Sequence, residues 1–240
     1  MKRITILIAA MIFAATAASA APRNYELKSP DGKLVVTVEA GEELNYSLSH
    51  ESDKLLDKSP LGMYLEDGTV FGGAQSVKKV SRRSVNETIS AVVYKKAEVK
   101  DVFNEMTLKF QKFSVIFRAY DDGMAYRFVS HIKTPYNVEN ETVRFNFAQD
   151  WNMWAAYVTH NTWSLEGQYF TSNEAQYTYT PLSEWNKDRI AMLPLMVDGP
   201  SGKKIVVTEA DNRDYPCFYL YNYEGGKELT ARIPAFPKDL

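Results

Sequence analysis

The chain has 240 residues, of which 28 are Lys or Arg and 30 are Asp or Glu, with 45% hydrophobic and 13% aromatic residues and one cysteine. This charge balance lacks the basic footprint that nucleic acid or an anionic membrane requires of a partner. A lone Cys217 excludes an internal disulfide, so stability has to come from a buried core, for which the length is ample.

The first twenty residues, MKRITILIAAMIFAATAASA, read as a secretory signal peptide. Lys2 and Arg3 form the positive region, Ile4 to Ala18 an apolar run too short to span a bilayer, and Ala18-Ser19-Ala20 a small-residue cleavage pattern. The expected mature protein covers residues 21–240 and is exported, as a periplasmic protein, with no membrane insertion. Removing Lys2 and Arg3 takes the 28 basic residues to 26 against 30 acidic ones, a net charge of about −4.

Beyond the leader the pattern is strand-like. After the turn Ser29-Pro30-Asp31-Gly32, "KLVVTVEA" (33–40) and then "LNYSLSH" (44–50) alternate at period two. "VSRRSVNETISA" (80–91) reads as an exposed region and "KKAEVKDVFNE" (95–105) as the most polar connection. "MTLKFQKFSVIFRAYDDG" (106–123) holds two β-runs, the second closing on an Asp-Asp-Gly turn before "MAYRFVSHI". "TVRFNFA" (142–148), "KIVVTEA" (204–210) and "CFYLYNY" (217–223) continue the alternation, rich in β-branched and aromatic residues. "SNEAQYTYT" (172–180) sets Glu174 before tyrosines expected to share one face of a strand, and "TPLSEW" (180–185) is at most a short helix or turn. No 3.6-residue period persists. The expectation is an all-β chain, a large antiparallel β-sandwich without internal repeat or linker.

Little in this chain nominates a nucleophile. His50, His131 and His160 are scattered, and with one cysteine they cannot build a thiolate–imidazole zinc site. No G-x-S-x-G elbow and no glycine-rich phosphate loop is present. "TEADNRDYP" (208–216) crowds Glu209, Asp211 and Asp214 after a strand. Such a loop can offer oxygens to calcium, or it can cap backbone N–H groups and pair with Arg213. Trp151, Trp154, Tyr157, Trp163, Tyr169 and Phe170 crowd into one stretch, where rings serve either the core or the faces of a bound sugar. Trp151 and Trp154 are the candidate substrate-binding residues.

Several segments together resemble glycoside hydrolase family 97. They are "LKSPDGKLVVTV", "LLDKSPLGMYLEDG", "FNEMTLKF", "VIFRAYDDGMAYRF" and "VVTEADNRDYPCFYL", in the family's order and spacing. The resemblance covers the N-terminal domain of these exported, calcium-dependent α-glucosidases and α-galactosidases. It implies a super-sandwich of the galactose-mutarotase-like kind, packed in the complete enzyme on a (β/α)8 barrel that carries the catalytic carboxylates and most calcium ligands. It also implies that Glu174, in "SNEAQYTYTPLSE", is the glutamate this domain lends to the calcium. No barrel alternation follows "ARIPAFPKDL", so the chain is expected to lack the catalytic barrel and to be inactive alone, since glycoside hydrolysis needs two positioned carboxylates. The expected role is that of an accessory domain serving an α-linked oligosaccharide. Two alternatives stay open: a free-standing carbohydrate-binding sandwich using the aromatic cluster, and a mutarotase-type enzyme.

Overall fold

The computed structural model describes residues 22–159, 164–170, 174–210, 212 and 215–235. The leader expected over residues 1–20 lies outside them, as do His160, Trp163, Asp211, Arg213 and Asp214. Among the described residues sixteen strands carry the fold: β1 (Arg23–Lys28), β2 (Leu34–Ala40), β3 (Leu44–His50), β4 (Asp53–Leu65), β5 (Val70–Phe71), β6 (Lys79–Ser90), β7 (Glu98–Lys109), β8 (Phe113–Tyr120), β9 (Gly123–Ser130), β10 (Val138–Asn146), β11 (Asn152–Tyr157), β12 (Tyr177–Pro181), β13 (Ala191–Asp198), β14 (Lys204–Val207), β15 (Tyr219–Tyr221) and β16 (Glu228–Arg232). Among the described residues the helices are short 3-10 turns, one of them Leu182–Glu184 within the expected "TPLSEW" turn. No helix there is long and apolar enough to cross a membrane.

The strands form two antiparallel sheets. The larger runs β1-β2-β3-β4-β10-β16-β15-β13-β11-β12, with β5 added beside β4 and β14 beside β13; the smaller is the meander β6-β7-β8-β9. Period-two alternation explains the pairing. In β2 and β3 every second residue is buried, so Leu34, Val36 and Val38 face inward with Leu44, Tyr46 and Leu48. The small sheet presents Phe113, Phe117, Tyr126 and Phe128 to this face. Rings meet between the layers: Tyr46 on Tyr126 at 5.7 Å, Phe71 stacked on Phe113 at 4.7 Å. The expected sandwich is present.

The large sheet curls. The turn between β13 and β14 returns to the start of β4, where Lys203 pairs with Asp53, although β10, β16 and β15 separate those strands along the sheet. Lys227 likewise reaches Asp57 at 2.7 Å. One contiguous core results, running from Leu27 through Phe147 and Met153 to Leu229. Gly72 sits at its edge with φ of +113°, and a Cβ there would lie 2.7 Å from the Leu61 carbonyl oxygen.

Two segments depart from the expectation. "VSRRSVNETISA" is exposed, but it is strand β6, and the polar "KKAEVKDVFNE" supplies the start of β7. Both strands are paired in continuous register from Lys79↔Lys109 to Ser90↔Glu98. Cross-strand hydrogen bonding holds this ribbon without burying either face of its outer half, so no hydrophobic alternation marks it.

Candidate functional site

The site region is the far end of the large sheet. β12 pairs with β11 so that Trp154 lies opposite Tyr179 and Ala156 opposite Tyr177. The expected common face of the two tyrosines is seen. The strand is more open than a half-buried one, because β12 ends the sheet and, among the described residues, has no strand on its outer side. The Tyr179 ring lies 4.5 Å from that of Trp154, and its hydroxyl donates to the Asp198 carboxylate at 2.8 Å. Lys204, 2.7 Å from Asp198, and then the Tyr179 hydroxyl hold that carboxyl below the usual range.

Glu174 stands just before β12 with its side chain exposed, and its carbonyl accepts the Thr159 hydroxyl at 3.3 Å. Ala175 and Tyr177, which follow Glu174, line an open cleft of about 460 Å³ together with Ala156, Met192, Glu209 and Phe218.

The aromatic stretch divides. Trp151 is partly buried and packs against the core, whereas Trp154 is 37% exposed on the outer face with Tyr179. Tyr157 turns inward to Trp185, edge to face at 5.1 Å, and its hydroxyl accepts the Asn186 N–H. Tyr169 contacts Tyr219 at 5.3 Å, and Phe170 is exposed.

Glu209 performs the capping role among the two open to its loop. Its Oε2 accepts the Phe218 N–H at 3.1 Å and the Asn212 amide at 3.2 Å, which closes the loop at its base. Burial pushes its carboxyl up. The same loop is pinned to the sheet by Tyr215, whose hydroxyl donates to Glu141 on β10 at 2.8 Å. Burial raises the Glu141 carboxyl, the Tyr215 bond opposes this, and the neighbouring Glu209 charge adds to it. Burial and then Glu141 raise the Tyr215 phenol. Sequence reading missed Glu141, because its partner lies 74 residues away and no local pattern marks it.

The donor chemistry for calcium can be tested against these residues. Calcium takes six to eight oxygens. Among the described residues no group of three or more His, Cys, Asp or Glu side chains could hold a metal ion. Glu174 is an exposed carboxylate outside any such group. No two carboxylates flank the cleft in the manner of a glycosidase pair among the described lining residues, where Glu209 is the acid present.

Comparison with known proteins gives this geometry a setting. The family model described as glycosyl-hydrolase 97 N-terminal matches residues 27–237. A retaining alpha-galactosidase of Bacteroides thetaiotaomicron is 37% identical over 240 residues, covering 99% of this chain and 36% of that protein. A glycoside hydrolase family 97 enzyme solved in complex with acarbose, from Pseudoalteromonas sp. strain K8, superposes with a TM-score of 0.72 at 22% identity, over 87% of this chain and 32% of that one. A beta-arabinopyranosidase structure gives 0.75 at 22% identity, over 89% and 36%. The two structures bear on the fold. The chain spans about a third of the length of the proteins it matches.

Proposed function

The chain belongs to the glycosyl-hydrolase 97 N-terminal family, and from that membership we propose that it is the accessory domain of an exported α-glycosidase of the α-galactosidase kind. Packed on a catalytic barrel, it lends Glu174 to a calcium ion whose other ligands the barrel supplies. The observation that supports this reading is the placement of Glu174. Its carboxylate is exposed, ahead of the last strand of the sheet and beside an open cleft, where a neighbouring domain can reach it. Bound calcium there would neutralise nearby carboxylates and hold a sugar hydroxyl. The part left to this chain is to hold one oxygen in place, through β12 and the Thr159 bond to the Glu174 carbonyl.

Joining this chain to the remainder of the Bacteroides alpha-galactosidase tests the reading. The fusion is expected to hydrolyse an α-galactoside in a calcium-dependent manner, and the 240-residue chain alone is expected to hydrolyse none. In the fusion, Glu174→Gln is expected to raise the calcium concentration for half-activity by at least about tenfold, the loss that even an outer-sphere partner can cause. An unchanged calcium midpoint removes Glu174 from the site.

A second reading has its own observation. Trp154 and Tyr179 form an exposed aromatic pair with Asp198 and Lys204 at its rim, suited to the face and hydroxyls of a sugar. Titration calorimetry of the chain with melibiose separates the two: millimolar binding abolished by Trp154→Ala supports a carbohydrate-binding role for the chain itself.

A further inference from the structure

From the outer edge of the small sheet we infer that two copies of this chain pair through β6, antiparallel and in register about Val85, to form a continuous eight-stranded sheet across a two-fold axis. This surface does not involve Glu174 or the cleft.

β6 is a terminal strand of 12 residues that, among the described residues, pairs only with β7. Apart from the half-buried Val80 and Val85, all of it is exposed. It contains no proline or glycine, and its register against β7 runs without a bulge. A long, regular edge of this kind offers a row of unpaired N–H and C=O groups to another strand. Charged side chains usually blunt such an edge. Here their order makes the edge complementary to itself.

A two-fold axis perpendicular to a sheet sets opposite each other residues that point to the same face. With Val85 on the axis, each Arg83 faces the other chain's Glu87 on the outer face, and each Ser84 faces Asn86 on the inner one. Ser81 faces Ile89, and Arg82 faces Thr88. Moving the axis to Ser84 puts Arg83 opposite Val85, and moving it to Asn86 puts Arg83 opposite Ile89. An axis at Arg83 or Glu87 sets like charges face to face. The register about Val85 therefore pairs Arg83 with Glu87 and sets no like charges opposite each other, while Arg82, bonded to the Glu26 carbonyl of its own chain, faces Thr88.

The side chains are prepared for this role. Arg83 spends Nε and Nη2 on Glu105, at 2.6 and 3.0 Å, which fixes the guanidinium. Among the described residues Glu87 makes no hydrogen bond or close ion pair in its own chain, although its charge already acts on Arg83 of the same strand. Val92 and Val93, at the tip of the β6–β7 hairpin beyond the paired strand, are 97% and 94% exposed.

Sedimentation equilibrium on the purified chain tests the pairing. A dimer is expected at about 10 μM and above. Val85→Lys and Val85→Glu, which place like charges on the axis, are each expected to sediment as monomers with unchanged circular dichroism. Their equimolar mixture is expected to return to a dimer, because the introduced ammonium then faces the introduced carboxylate. Glu87→Lys, at an exposed position, is expected to weaken the dimer about tenfold. A wild-type chain that stays monomeric at about 100 μM overturns the inference. So does a dimer that survives both Val85 substitutions, which would use another surface, or a mixture that stays monomeric while the wild type pairs.

Discussion

Tyr215→Phe probes the clasp between the 208–218 loop and the sheet, and its signature is a dependence on pH. The substitution removes only the hydroxyl that donates to Glu141 at 2.8 Å. A hydrogen bond to a charged acceptor contributes about 1.5–3 kcal/mol and one to a neutral acceptor about 1 kcal/mol. Tyr215 is 40% exposed, so water replaces part of the bond, and the expected cost with Glu141 ionised is about 1 kcal/mol. For a chain of this size that lowers Tm by about 2–4 °C. The sign of the pH effect follows from the carboxyl. Glu141 is already raised in the folded state, chiefly by burial, so the wild type loses stability as pH rises from the ordinary glutamate range through its folded pKa. The Tyr215 bond lowers that pKa. Removing it raises the pKa further and extends the loss to higher pH. The Tm deficit of Tyr215→Phe is thus largest at pH 8 and shrinks toward pH 4.5, where the carboxyl is protonated. Thermal unfolding of wild type and variant followed by circular dichroism at those two pH values reads it directly. Equal deficits at both would refute the account of Glu141 as a half-buried carboxylate steadied by the phenol.

Three further outcomes are expected. Glu105 is 7% exposed and held by Arg83 at 2.6 Å and Arg118 at 2.9 Å, and Arg83 foremost among the causes keeps its carboxyl below the usual range. Glu105→Ala should cost about 2–3 kcal/mol in urea unfolding at pH 7, below the range for a fully buried pair because Arg83 is largely solvated. Because a depressed carboxyl stabilises above its unfolded pKa and the contribution fades as pH falls, the deficit should shrink in acid. Gly72→Ala combines a positive φ with a Cβ 2.7 Å from the Leu61 carbonyl, and should cost about 2 kcal/mol or more by the same measurement. Phe117, fully buried between the sheets, should cost about 3–5 kcal/mol on truncation to Ala, and a cost under 1 kcal/mol would deny the sandwich core.

Much of the fold was legible because its hairpins bury one face. "LNYSLSH" is β3 residue for residue, and the Asp-Asp-Gly turn separates β8 from β9 as its chemistry demands. The β6–β7 ribbon was not, since a pair of strands solvated on both sides of its outer half carries no alternation to detect. The same rule divides the site. The face of Tyr177 and Tyr179 follows from period two, and the resemblance of five motifs singled out Glu174. The Glu141–Tyr215 clasp joins strand to loop across 74 residues, and neither end bears a local sign of the other. Burial raises both groups only after the fold has brought them together.

The two surfaces proposed for partners are both at sheet edges, and the edges differ in a way that selects the kind of contact. β12 has five residues and ends in Pro181, which has no N–H to offer. Such an edge is poorly suited to accept a further strand, and what it presents instead is side chains: Glu174 ahead of it, Tyr177 and Tyr179 along it. A neighbouring domain would engage it through ligand and ring contacts, sensitive to Glu174→Gln. β6 has more than twice that length, no proline and a register free of bulges. Its backbone is the adhesive, and its side chains choose the alignment. Hence a charge placed at Val85 should abolish pairing between copies while leaving the calcium dependence of a barrel fusion unchanged, and Glu174→Gln should do the reverse. If either substitution moved both properties together, the two edges would belong to one interface and the separation argued from their lengths and sequences would fail.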